Sequence, residues 1–97
     1  MNLARYLKKQ ANYTEAHKKY KQAVHAYDKA IEFNPLHLGS WNNRGKALFE
    51  QGNYGMAIES YDRAIDINPQ DPDVQNNRIE ALNALASQRP NKLRLAG

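Results

Sequence analysis

Ninety-seven residues, 41% of them apolar, suffice for one domain with a modest core. The absence of cysteine removes disulfides and thiolate metal sites. No apolar run is long enough to span a membrane and the Met1 end lacks a signal-peptide core, so the chain reads as soluble and cytoplasmic. A net charge of +4, from 14 basic and 10 acidic residues, is too mild an excess to assign an acidic partner.

From the amino end, a first short helix is expected over Asn2 to Lys9. The stretch "QANYTEA" (10–16) then reads as a turn in which Asn12 caps the next helix and Glu15, three residues on, completes a capping box. The second helix, Tyr13 to Phe33, is long, roughly 30 Å at 1.5 Å per residue. It carries Tyr13, Tyr20 and Tyr27 at every seventh position, each followed three residues later by Ala16, Ala23 or Ala30. Asn34-Pro35 stops it, because proline restricts the residue before it and lacks a backbone donor. A third helix through "SWNNRGKALFE" places Trp41, Gly45 and Leu48 on one face, with Ser40 as its cap. Gly52-Asn53 turns the chain, Asn53 caps a fourth helix, and Asn68-Pro69 ends that helix. Asp71 to Ser87 should form the fifth, and "SQRPNKLRLAG" breaks at Pro90. The expectation is an all-α chain of five helices, one domain over 1–88 and a flexible tail over 89–97.

An internal repeat organises these helices. "AVHAYDKAIEFNP" (23–35) aligns without gaps on "AIESYDRAIDINP" (57–69) at an offset of 34 residues, pairing Tyr27 with Tyr61 and Pro35 with Pro69. Trp41, Gly45, Ala57, Tyr61 and Pro69, with Tyr54 and Ala64, make the chain resemble the tetratricopeptide repeat family, whose unit is also 34 residues long. Arg44 stands where the family motif has leucine, and Leu48 where it has tyrosine. The resemblance covers roughly residues 3 to 87 and implies an α-solenoid of antiparallel helix-turn-helix units. In the incomplete third unit Gln75 and Ile79 replace Trp41 and Gly45, which suits a terminal cap.

The first unit admits two registers. Thirty-four residues before "QGNYGMA" (51–57) lies "HKKYKQA" (17–23), which has no turn-forming residue; 41 residues before it lies "QANYTEA". The second register is preferred, and because the difference is one heptad the tyrosine stripe passes through it undisturbed. A helix of some eight residues cannot cover one of about twenty, so the stripe is left with surplus apolar surface. Pairing of two chains through Tyr13, Ala16, Tyr20, Ala23, Val24 and Tyr27 would cover it.

The resemblance further implies a protein-interaction module with a concave peptide groove lined by the inner helices. Its outward residues would be Arg5, Lys8 and Lys9 from the first unit, and Asn42, Asn43, Lys46, Phe49 and Glu50 from the second. Asp73, Asn76, Asn77 and Glu80 would complete it from the third. Asparagine amides both donate and accept, which suits a peptide backbone. An aspartate at 73 opposes the carboxylate clamp of some family members. The alternative class is a basic surface for nucleic acid or another acidic partner, through Lys18, Lys19 and Lys21 around Tyr20. Lysines flanking an apolar stripe are equally a solvated edge. His17, His25 and His37 are too far apart for one metal ion, so neither a metal nor another cofactor is expected. With no nucleophile elbow, phosphate loop or paired carboxylates, no enzyme is expected either.

Overall fold

The computed structural model describes residues 2–88. It has four helices: α1 (Leu3–Phe33), α2 (Leu38–Glu50), α3 (Tyr54–Ile67) and α4 (Pro72–Ser87). The expected tail at 89–97 lies outside the described residues.

The five-helix expectation is corrected at the amino end. Residues 10–12 do not turn; they continue α1, which runs 31 residues without interruption. The pattern match to "QGNYGMA" misled because it omitted the residue that matters. Gly52 makes the α2–α3 turn at φ 81°, a left-handed conformation that costs an ordinary residue about 1–2 kcal/mol. Ala11 occupies that place in "QANYTEA" and Lys18 occupies it in the 34-residue register, so neither register can turn cheaply. Asn12 is therefore a mid-helix residue. The cap of α1 is Asn2, whose side chain accepts from the Ala4 N–H at 2.9 Å. Thr14 returns its hydroxyl proton to the Gln10 carbonyl at 3.0 Å, as a threonine inside a helix does.

The remaining boundaries follow the expected stops and starts. Asp71 caps α4 by accepting from the N–H groups of Asp73 and Val74. The other two caps differ from expectation. His37 caps α2, accepting from the Ser40 N–H at 3.1 Å, while Ser40 itself is buried and meets the same ring nitrogen through its hydroxyl at 2.8 Å. Asn53 makes no side-chain cap bond and instead reaches the Met56 sulfur.

Beyond α1's first half, the 34-residue repeat is repeated in its bonds. Arg44 pairs with Asp28 and Arg78 with Asp62, so both aspartates are engaged where the sequence pattern had placed them in solvent. The Leu36 N–H donates to the Asn34 side chain, and the Gln70 N–H to Asn68. Trp41 donates its indole N–H to the Pro35 carbonyl, and Gln75 donates its amide to the Pro69 carbonyl. Gln75 thus keeps Trp41's tie to the linker while giving up its ring.

Helices pack on their chain neighbours: α1 on α2, α2 on α3 and α3 on α4, with α2 also touching α4. The core is Leu48, Ala57, Tyr61, Ala64, Val74 and Ala81, so it belongs to α2, α3 and α4. Helix α1 has no buried residue and contributes Val24 at the edge of that core. Every residue from Asn2 to Ala16 is exposed. Helix α1 is thus two things joined: a carboxyl half laid against α2, and an amino-terminal arm that nothing covers.

Candidate functional site: an unfilled groove between two helices

Three families of side chain meet between the carboxyl half of α1 and the exposed face of α2. Tyr20, Ala23 and Tyr27 come from α1; Asn43, Lys46 and Ala47, with Glu50 at the end, come from α2. They line a trough of ≈ 310 Å³, at the small end of ligand-pocket volumes and elongated along the helices. Its floor is alanine, its walls are tyrosine, and its rim carries an amide, an ammonium and a carboxylate. Such a surface accepts an apolar helix face with polar edges better than a compact polar ligand.

The same arrangement occurs one repeat later, where it is full. Thirty-four residues on from Tyr20, Ala23, Tyr27, Asn43 and Ala47 stand Tyr54, Ala57, Tyr61, Asn77 and Ala81. Helix α2 lies in that slot. Its Gly45 rests on the ring of Tyr61, so closely that a Cβ there would fall 2.4 Å from Cε1. Phe49 meets Tyr54 at a ring separation of 5.1 Å, and Asn42 accepts from the Asn77 amide at 3.0 Å. Tyr61 is 2% exposed in consequence, and Ala57 and Ala81 are fully buried. Burial, helped by Glu80 and Glu50 nearby, pushes the Tyr61 phenol up to about 12. Tyr20, Ala23 and Tyr27 in the open groove are only half-buried.

Two glycines give α2 its place in the filled slot, and the first unit lacks both. Gly52 permits the turn, and Gly45 permits the approach to Tyr61; Lys18 and Ala11 stand 34 residues before them. The segment that would fill the open groove from the same chain, 4–16, instead extends away as the arm of α1. A family model for the tetratricopeptide repeat matches residues 1–72. The chain belongs to the tetratricopeptide repeat family. No curated protein matches it. Tetratricopeptide repeats are in general non-catalytic protein-interaction modules, and this one is a stack in which the first unit's inner helix has not folded back.

Against that frame of repeats, the sequence-predicted residues are redistributed. Tyr20, Ala23 and Tyr27, expected at a self-association seam, and Asn43 and Lys46, expected in a peptide groove, line one trough. Val24 is drawn into the core edge, and Tyr13 and Ala16 lie on the bare arm, Tyr13 stacked on His17. Arg5, Lys8 and Lys9 are also on the arm, away from α4, which α1 does not contact. Asn42 and Asn77 satisfy each other across α2 and α4, and Phe49 packs on Tyr54 and the core. Asp73, Asn76 and Glu80 are exposed on α4. Ala47 was missed by sequence reasoning, although its alignment with Ala81 marks it as floor. Among the described residues no group of three or more histidine, aspartate or glutamate side chains is placed to hold a metal ion.

Proposed function

We propose that this repeat stack is a non-catalytic interaction module whose binding surface is the open trough between α1 and α2, and that it receives a helical segment. The observation that carries this reading is the filled counterpart. Tyr54, Ala57, Tyr61, Asn77 and Ala81 hold a helix, and their equivalents in the first unit present the same shape and chemistry with nothing in it. The concave face formed by Asn43, Lys46 and Glu50 with Asn76 and Glu80 adds a polar rim, suited to fixing a ligand's register rather than to supplying its binding energy. Membership of the family supports the protein partner, and the described helices include none long and apolar enough to cross a membrane.

The test is a selection of helical peptides from a displayed library against the dilute chain, followed by affinity measurements on wild type and Ala23→Arg. An arginine on the alanine floor is expected to weaken selected peptides at least tenfold while the helical circular dichroism is kept. Peptides that bind the two proteins equally would remove the trough from the account. Binding that collapses between 50 and 200 mM salt would redirect it to the lysine cluster at Lys18, Lys19 and Lys21 and to an acidic partner.

A further inference from the structure

We infer that the helix received by the trough is the amino-terminal arm of a second copy of this chain, Leu3–Ala16, in a reciprocal exchange that completes the first repeat of each protomer. This rests on the trough being a binding surface and adds the identity of its occupant.

The arm has the sequence of a covered helix. In register with α2, its Tyr6 and Leu7 stand where Ser40 and Trp41 stand, and its Tyr13 stands where Ala47 stands. Ser40 and Ala47 are buried and Trp41 is half-buried, yet Tyr6, Leu7 and Tyr13 are 46%, 56% and 64% exposed. Large apolar groups thus occupy positions that the complete unit covers. The arm is also as long as the helix that fills the equivalent slot: α2 spans 13 residues, and 4–16 are their equivalents. A helical stretch of that length without tertiary contacts is marginal in water.

Electrostatics point the same way. The first turn of α1 carries no acidic residue, and Arg5, Lys8 and Lys9 crowd the positive end of the helix dipole, so the bare arm is destabilised at its own tip. The contact of Gly45 with Tyr61, shifted back by one repeat, sets Ala11 of one copy on Tyr27 of the other. In that antiparallel register Arg5 comes beside Glu32 of the second copy and Lys9 beside Asp28, which relieves both. The bond between Asn77 and Asn42, shifted likewise, places Lys8 of one copy against Asn43 of the other. Because α1 is straight, seating one arm in the second copy's trough lays the two α1 helices side by side, crossing near Lys19. Each trough is then filled by the other's arm, and the pairing is a closed two-fold one.

The intact chain tests this directly, since it has no cysteine to interfere. Lys8→Cys and Asn43→Cys are prepared as separate full-length variants, one of them tagged, mixed, and oxidised. The expected product is a disulfide between the two different chains, with light scattering giving twice the chain mass of 11.1 kDa before oxidation. In a second variant, Lys18→Gly with Lys19→Asn supplies the missing turn. It is expected to halve the mass while keeping the helical signal, because each arm can now fill its own trough. A chain that remains at 11.1 kDa across the concentration range overturns the exchange. So does a dimer in which positions 8 and 43 of different chains do not link. Either result leaves the trough itself in place if Ala23→Arg still abolishes peptide binding; peptides indifferent to that substitution remove both.

Discussion

The slot between α3 and α4 and the trough between α1 and α2 are built from equivalent residues 34 positions apart, yet the first is closed by α2 and the second is open. The floor and walls do not differ: alanine faces alanine and tyrosine faces tyrosine. What differs lies in the helix meant to fill each one. Where Gly45 and Gly52 are present, the helix turns back and settles on a tyrosine ring. Where Ala11 and Lys18 replace them, it runs straight. The binding surface of a repeat is therefore decided by its turn and its contact glycine at least as much as by the residues lining it.

The largest expected break in this comparison comes from truncating the two equivalent tyrosines. Tyr61→Ala should cost about 3–5 kcal/mol, the usual range for emptying a buried aromatic site. Tyr27→Ala, measured in urea with Trp41 fluorescence on chains too dilute to associate, should cost less than half as much. Equal losses would mean that the two slots are equally filled. Next in size, Gly45→Ala forces a methyl into the Tyr61 ring and should cost about 1–3 kcal/mol, and Ala11→Gly should show no corresponding gain in packing in dilute chains.

Proton linkage probes the filled slot without emptying it. An unfolded tyrosine ionises near 10, whereas Tyr61 in the folded chain ionises at about 12, chiefly through burial. The folded state therefore holds the proton longer. Stability is fully present below about pH 10 and falls as pH rises towards 12. Tyr61→Phe should flatten that slope in a series of denaturant titrations. An unchanged slope would place its origin in other groups.

Smaller effects sharpen the contrast between the two ion pairs. Arg44 also donates to the hydroxyl of Ser60, which is fully buried, so Arg44→Ala strands a polar group and should cost about 1–2 kcal/mol. Arg78 and Asp62 are more exposed, and Arg78→Ala should cost under about 1 kcal/mol. Smallest of all, Asn12→Ala should raise helix stability by about 0.5 kcal/mol, because alanine outranks asparagine inside a helix. A loss of about 1 kcal/mol on melting would instead restore Asn12 as a cap.

Much of the fold was legible because it rests on local rules. The 34-residue offset, the Asn-Pro stops at 34–35 and 68–69, the Gly52 turn and the Asp71 start all follow from residues that act on their own backbone. The straightness of α1 was harder to read. A heptad stripe fits one long helix and two short ones equally, and "QANYTEA" matched its counterpart everywhere except at the glycine. Caps were misassigned at Ser40 because a histidine three residues earlier has the better-placed acceptor. As for the candidate site, its residues were visible in two separate patterns, stripe and groove. Their convergence on one trough was not, since it depends on how α1 lies on α2.

Packing between chain neighbours alone has a consequence for how the molecule comes into being. With α1 touching α2, α2 touching α3 and α4, and α3 touching α4, almost no contact demands that distant parts of the chain find each other first. Folding can begin at any hairpin and spread along the array, on the fast side of the range for small domains. Nothing inside one chain then hurries the arm towards a partner, so assembly becomes the slow step, set by how often two copies meet.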